Sequence, residues 1–283
     1  MSHAFFRNHR LRFLNMTTAA DKTRLDPAIA RSAGFVLGCA LFFASHARAE
    51  DLAFTNSLAQ AALAEQRGDV PSALQIYSQA ESLATTNAVN LCTLSRRFCD
   101  LIYLTKTSAA QKELAERALA CALQAAKADP QNATAHACVA VCYAQNCAYA
   151  DLKTELAYSR LFKLEAEKTI ALDPKQDIAY HLLGRWHYGV ANVGLLSRAY
   201  VKVVYGGLPK ASNEDAIRQF QKAIELAPNR IIHHAGLATV YEATGERNRQ
   251  IHELEQCRDL KVLDAADAEA QRVAEKKLAA LRK

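Results

Sequence analysis

Residues 213–246 read NEDAIRQFQKAIELAPNRIIHHAGLATVYEATGE, and this stretch decides the fold. The apolar residues before the proline recur every three or four positions, which is the period of one face of a helix. Pro228 cannot continue a helix and moves the residue before it out of the α region, so the first helix ends there. A second amphipathic stretch begins at Ile231. The stretch therefore predicts two helices joined by a turn.

The same arrangement occurs at two earlier places, AERALACALQAAKADPQN at 115–132 and LFKLEAEKTIALDPKQ at 161–176. Each is an amphipathic helix that ends at a proline and is followed by a second amphipathic stretch. A unit of this kind repeated along a chain is typical of a helical solenoid. The alternating runs bounded by Asn-Gly or Asp-Gly that indicate β-hairpins are absent from the sequence.

The unit resembles the tetratricopeptide repeat, a helix–turn–helix of about 34 residues. The three prolines are 44 and 54 residues apart, so the inner repeats carry insertions. We predict an all-α, tetratricopeptide-repeat-like helical solenoid of about four degenerate repeats, with a C-terminal capping helix over 264–282. We expect Trp186 to fill space beneath the insertion that follows it. The resemblance assigns structural positions of the repeat to Gly184, Ala216, Phe220, Ala223, Pro228 and Tyr241.

Residues 1–49 differ from the rest and are predicted to be a signal peptide or targeting leader, with the solenoid over 50–283. The apolar run at 33–44 would cover only about 18 Å as a helix, too little for a hydrocarbon layer of ~30 Å. Residues 47–49, Ala-Arg-Ala, have the small-x-small pattern of a cleavage site. We expect an exported, periplasmic protein without an integral membrane span in its mature chain. A cytoplasmic or mitochondrial protein, with a presequence or a short membrane anchor, is the alternative.

The charge of the predicted mature chain argues against a nucleic-acid partner. The formal net charge of +6 becomes about +1 without the leader, which contains seven basic and two acidic residues. Nucleic-acid binders normally carry a basic stripe, and the one local basic cluster here lies at the C-terminal end of a helix, where cations oppose the helix dipole.

The seven cysteines after the leader are an odd number and contain no C-x-x-C motif. Cys138 and Cys142 are four residues apart on one predicted helix, but no further ligand completes a metal site. We predict that they pack as small apolar side chains. In an exported protein, one disulfide among Cys99, Cys121 and Cys138 is the alternative.

Residues 174–228 resemble the regulator of microtubule dynamics family, a set of tetratricopeptide-like proteins. The resemblance rests on HLLGRW at 181–186, on YGGLP at 205–209, and on NEDAIRQFQKAIEL leading to Pro228. It implies a helical adaptor domain that associates with microtubules, with some members on mitochondria, and it implies no catalytic residues. Microtubules are an expected partner only if the leader is not an export signal, since an exported protein does not meet tubulin.

The repeat frame also places a set of side chains in the concave groove. His181, Arg185 and Tyr188 share one helix face because they are four and three residues apart. We interpret them as a recognition surface, since the trio lacks a nucleophile and a carboxylate partner. Such a groove fits an extended or helical protein segment, with Arg185 contacting an acidic group. The predicted groove residues are Ile178, His181, Leu182, Arg185 and Tyr188, together with Gln145 and Glu242.

Two other hypotheses remain open at this stage. In the first, the groove carries an apolar ligand such as a lipid chain, which Val141, Ile178, Leu182 and Ile232 line and the insertion at 192–212 closes. In the second, the protein is an enzyme, although the sequence contains no H-E-x-x-H, no G-x-G-x-x-G and no phosphate loop. We predict a non-enzymatic adaptor that needs no cofactor and no metal.

Overall fold

The computed structural model describes residues 49, 51–84 and 86–281, and this part of the chain contains twelve α-helices and no strand. The predicted all-α class is therefore confirmed. Most of the predicted leader lies outside the described residues, and the boundary after residue 49 stays a prediction. The helices are α1 (51–66), α2 (Val70–Glu81), α3 (Ala88–Leu104), α4 (Ser108–Ala128), α5 (Ala133–Asn146), α6 (Leu152–Leu172), α7 (Asp177–Ala191), α8 (Leu195–Tyr205), α9 (Asn213–Leu226), α10 (Ile231–Thr244), α11 (Arg247–Asp259) and α12 (Ala265–Leu281).

Helices pack in successive pairs, which is the arrangement of a solenoid. α3 packs on α4, α5 on α6, α7 on α9 and α10 on α11, and each of these pairs contacts the next. α1 joins α2 through a 2.7 Å hydrogen bond from the Tyr77 hydroxyl to the Glu65 carboxylate. The described residues thus contain five pairs, against about four predicted repeats. In the additional pair, α4 contains the helix predicted at 115–132, whereas α3 was not predicted because no proline precedes it to mark its start.

The proline boundaries are confirmed, since α4, α6 and α9 each end two residues before a proline. The side chain six residues after each of these prolines donates a hydrogen bond to the proline carbonyl oxygen. We name this contact the proline clasp; its donors are His136 Nε2 at 3.0 Å, the Tyr180 hydroxyl at 3.2 Å and His234 Nε2 at 3.0 Å. The clasp holds the first helix of a pair against the preceding turn.

The insertion at 192–212 contains α8 and leaves the pairing of α7 with α9 intact. Arg198 of α8 donates hydrogen bonds to the carbonyl oxygens of Val190 and Ala191, at 3.0 and 3.2 Å. These bonds satisfy carbonyl groups that the end of α7 leaves without partners. They fix α8 at the C-terminal end of α7.

Trp186 is 3% exposed and lies beneath the second half of the insertion. Its cluster contains Phe162 of α6 and Val190 of α7, with Leu208 and Ala211 of the insertion packed against them. The indole is therefore placed between a helix pair and the inserted segment.

α12 caps the last pair and also contacts α3. Asp267 near its N-terminal end is fully buried and accepts hydrogen bonds from the backbone N–H groups of Ile232 and Leu263, at 3.2 and 3.4 Å. Arg230 pairs with Asp264 at 2.7 Å. These contacts hold α12 against α10, so that it forms one side of the groove described below. None of the described helices combines the length and the apolar character needed to cross a membrane.

Candidate functional site

A groove of about 1160 Å³ runs along the first helices of four pairs. Most of its lining comes from α3, α5, α7 and α10, because the opposite faces of these helices are buried within the pairs. α12 supplies a further side. Its lining residues are Ala266, Glu269, Ala270, Val273, Ala274 and Lys277.

Six of the seven predicted groove residues line this groove: Ile178, His181, Leu182, Arg185, Tyr188 and Gln145. Glu242 is the exception and corrects the prediction. Its carboxylate pairs with Lys277 of α12 and lies outside the lining. The repeat frame contains no information on where α12 docks, so this neutralising contact could not be foreseen.

The expectation that residues 192–212 close the groove is wrong. None of the side chains that the structure describes in that insertion belongs to the groove lining. Arg198 holds the insertion at the end of α7, and Leu208 packs with Trp186. α12 borders the groove instead.

The groove is more polar than a carrier of an apolar ligand requires. Val141, Ile178, Leu182 and Ile232 do line it, as predicted. Nine charged side chains line it as well. Sites for apolar ligands are predominantly apolar with few polar groups, so this composition does not favour the carrier hypothesis.

Two of the charged lining residues, Arg96 of α3 and Arg185 of α7, are exposed and have no ion-pair partner within the described residues. The other cations of the lining are neutralised: Arg97 by Asp100 at 3.5 Å, Arg230 by Asp264, and Lys277 by Glu242. The groove therefore presents two free guanidinium groups. Arginine is suited to binding carboxylates because its planar fork can donate two parallel hydrogen bonds.

Asp100 lies beside these cations on α3 and lines the same groove. Burial raises the pKa of its carboxyl group to about 6, although the nearby Arg97 opposes the rise. The charge of the groove therefore becomes more positive when the pH falls through this value.

A buried chain of hydrogen bonds connects Asp177, His233 and His181. His233 Nε2 is 2.8 Å from Asp177 Oδ2, and the Nδ1 atoms of the two histidines are 3.2 Å apart. Since the carboxylate accepts, His233 Nε2 carries a proton, and in neutral His233 the Nδ1 atom accepts from His181. This tautomer leaves His181 Nε2 as a hydrogen-bond acceptor.

Burial, the neighbouring His233, and the charges of Arg185 and Arg230 hold the pKa of His181 well below its usual range. Burial raises the pKa of Asp177, but its hydrogen bond to His233 and the nearby positive charges lower it overall. His181 is only 7% exposed, so it forms part of the groove floor more than its surface. His233 and Asp177 were not among the predicted groove residues. His233 lies on α10, and Asp177 lies on α7 one turn before His181.

Five of the six predicted structural residues, all except Pro228, occupy the interior of the last two pairs. Ala216, Phe220, Ala223 and Tyr241 are buried. Gly184 is also buried, and a Cβ atom added to it would be 2.9 Å from Phe220 Cδ2. Pro228 itself is exposed, and its carbonyl oxygen accepts the clasp bond.

The seven cysteines after residue 49 are free thiols. The disulfide considered among Cys99, Cys121 and Cys138 is therefore not formed; the neighbour of Cys99 is Cys142, with the Sγ atoms 3.9 Å apart. Burial raises the pKa of Cys121 to about 12, as expected for a packed thiol. Among the described residues, no three histidine, cysteine or acidic side chains are grouped so that they could hold a metal ion.

The fold is that of a tetratricopeptide-repeat protein. A thermophilic TPR protein of Thermus thermophilus superposes with a TM-score of 0.57 at 14% identity, over 81% of this chain and 98% of that one. At this identity the likeness concerns the fold alone.

The sequence is similar to curated proteins of vertebrates. It is 31% identical to regulator of microtubule dynamics protein 1 of Mus musculus over 173 residues, which are 61% of this chain and 56% of that protein. It is 29% identical to regulator of microtubule dynamics protein 3 of Xenopus laevis over 192 residues, 66% of this chain and 41% of that protein. The chain thus spans about half the length of the curated relatives it matches. The sequence model of regulator of microtubule dynamics protein 1-3 matches residues 57–282, and the chain belongs to that family.

Proposed function

We propose that the protein is a non-enzymatic adaptor that binds an acidic protein segment in the groove. The observation that carries the proposal is the pair of arginines without ion-pair partners among the described residues, Arg96 and Arg185, whereas the other lining cations are paired. Acidic side chains of a partner would pair with these two arginines.

The neighbouring side chains suit such a segment. Tyr188 is half-buried and offers a large amphipathic contact surface beside Arg185. Ile178 and Leu182 supply apolar floor one helix turn apart, where anchors of an extended or helical peptide enter at regular spacing. His181 Nε2 can accept a hydrogen bond from a donor of the segment.

The names of the relatives suggest microtubules as the structure to which the segment belongs. This partner is accessible only to a chain that stays in the compartment of tubulin. N-terminal sequencing of the protein from its own cells tests this: a start at Glu50 means that the leader is cleaved, as an export signal or a mitochondrial presequence is, and removes cytosolic microtubules from the proposal. An intact leader supports the cytoplasmic alternative or a retained membrane anchor and keeps them.

A peptide-display selection against the purified full chain tests the adaptor role without assuming the partner. We expect selected peptides to combine Asp or Glu with apolar residues at helical or alternating spacing. Arg96→Gln with Arg185→Gln should weaken their binding by about tenfold, since ~1.4 kcal/mol corresponds to that ratio. A matched control, Arg67→Gln with Arg160→Gln, removes two exposed arginines outside the lining and should leave the affinity unchanged. Peptides without acidic residues, or equal losses in both variants, contradict the proposal.

Pelleting with polymerised tubulin applies the same two variants to the microtubule question. If microtubules are the partner, the groove variant should reduce the bound fraction and the control should not. Co-pelleting that both variants retain would assign microtubule binding to another surface.

A further inference from the structure

Helix α8 exposes an apolar face that the rest of the described chain leaves uncovered. Leu195, Leu196 and Val203 are 86%, 89% and 85% exposed. The next most exposed large apolar side chain among the described residues is Val89, at 65%. A contiguous apolar surface of this kind marks an interaction site in a folded protein.

The exposed residues form one stripe along the helix. At 3.6 residues per turn, Leu195, Val203, Leu196 and Val204 follow one another around about one half of the helix circumference, so they form one broad apolar face. Tyr200, 51% exposed, belongs to the same stripe. The stripe runs along the full length of α8.

The opposite face of α8 is fixed to the domain. Val201 is 3% exposed, and Arg198 donates its two hydrogen bonds to the end of α7. Leu208, just after the helix, packs against the Trp186 cluster. Because its inner face and the segment that follows it are both held to the domain, α8 cannot turn its stripe inward without breaking these contacts.

The charges around the stripe are of one sign. No acidic residue occurs between Asp177 and Glu214, whereas the insertion contains Arg198, Lys202 and Lys210. Both lysines are exposed and have no ion-pair partner within the described residues. An amphipathic helix with an apolar stripe and flanking lysines is the pattern of a helix that lies in a membrane interface.

We propose that α8 docks the domain onto an anionic lipid surface. The stripe enters the boundary between headgroups and acyl chains, while Lys202 and Lys210 contact negatively charged headgroups. The ring of Tyr200 lies at the depth that aromatic residues favour in membranes. The proposal concerns the insertion alone and does not depend on what the groove binds.

Vesicle flotation with the full chain tests this docking. The probes are phosphatidylcholine vesicles with and without phosphatidylglycerol, and we expect clear binding only with the anionic lipid. Leu196→Asp with Val203→Asp should lower the bound fraction by about tenfold, because both carboxylates would enter the headgroup boundary. The matched control is Val89→Asp with Leu164→Asp, which places the same charges at two exposed apolar side chains of α3 and α6 and should bind as the wild type does.

A second pair of variants isolates the role of charge. Lys202→Gln with Lys210→Gln should weaken binding to the anionic vesicles, whereas Lys153→Gln with Lys175→Gln, two exposed lysines outside the insertion, should not. Far-UV circular dichroism checks that each variant folds.

Three outcomes overturn the proposal. The first is that the wild type does not bind anionic vesicles. The second is that the α8 aspartate variant binds as well as the wild type. The third is that the control variant loses as much vesicle binding as the α8 variant does. If the wild type does not bind vesicles but self-associates, and the α8 aspartate variant does not self-associate, the stripe would be assigned to contact with a second copy of the chain instead.

Discussion

The ring of Phe220 lies so close to Gly236 that a Cβ atom added there would be 2.3 Å from Cε1. Gly184 faces the same ring from α7, and its added Cβ atom would be 2.9 Å from Cδ2. A phenyl ring of α9 is thus inserted between α7 and α10, at the junction of two helix pairs. The absence of a Cβ atom on both sides is what allows the two first helices to approach it.

Gly236→Ala should destabilise the fold by about 1–3 kcal/mol, because the methyl group overpacks a buried ring that has little room to move. In an exposed helix the same change would stabilise by ~0.5–1 kcal/mol. Gly189→Ala on α7 is the control, since nothing lies within 4 Å of its added Cβ atom. Urea unfolding measures both variants. Phe220→Leu in the Gly236→Ala background should recover part of the loss, and a Gly236→Ala protein as stable as Gly189→Ala would contradict the packing argument.

The fold was largely predictable because its boundaries are local. Each of Pro130, Pro174 and Pro228 ends a helix through its own ring, whatever surrounds it. The groove positions on α7 were predictable for a related reason, since the buried face of a helix fixes which residues lie opposite. The position of Glu242 could not be predicted in this way, because its carboxylate pairs with Lys277, which is 35 residues away in the sequence.

The contacts that could not be predicted join distant parts of the chain. His233 meets His181 and Asp177 across 52 and 56 residues, and no spacing rule connects them. The apolar stripe of α8 is visible in the sequence, but only the structure shows that the helix is anchored through Val201, with the stripe outward. Periodicity indicates that a helix has two faces and leaves open which one the fold buries.

Asp100→Asn should stabilise the protein near neutral pH. Burial raises the pKa of Asp100 to about 6 in the folded state, above the ~3.9 of an unfolded aspartate. A raised pKa means that the contribution of Asp100 to stability is complete below about pH 4 and is lost as the pH rises through 6. Asparagine resembles the neutral acid, so the gain should be ~1–2 kcal/mol at neutral pH and close to zero near pH 4. Urea unfolding at both pH values measures this gain, with Glu113→Gln at an exposed position as the control. A gain of equal size at both pH values would contradict the raised pKa of Asp100.

Glu253→Gln should destabilise the last helix pair in a pH-dependent way. His234 donates from Nδ1 to Glu253 Oε2 at 2.7 Å and from Nε2 to the Pro228 carbonyl at 3.0 Å. Burial lowers the pKa of His234, but the bonds to Glu253 and Pro228 outweigh it and raise the pKa overall. The stabilisation is therefore complete below the unfolded pKa of about 6.5 and is lost as the pH rises through the folded value.

The cost of Glu253→Gln should be about 1.5–3 kcal/mol below that pH, the range for a hydrogen bond to a charged group, and should shrink above it. An NMR titration of His234 should show its pKa lowered in the variant. An unchanged His234 titration would mean that Glu253 does not hold the proton in place.

Leu208→Ala should uncover Trp186, which is the only tryptophan of the chain and so reports by its own fluorescence. Leu208 packs against the cluster that buries the indole. Removing its side chain should cost about 1–3 kcal/mol, less than a fully buried leucine, and open a path for water to the ring. We expect a red-shifted emission maximum and stronger quenching by acrylamide. Leu196→Ala, in the same insertion but 89% exposed, should change neither. If Leu208→Ala leaves the quenching as in the wild type, the insertion does not cover Trp186 in solution.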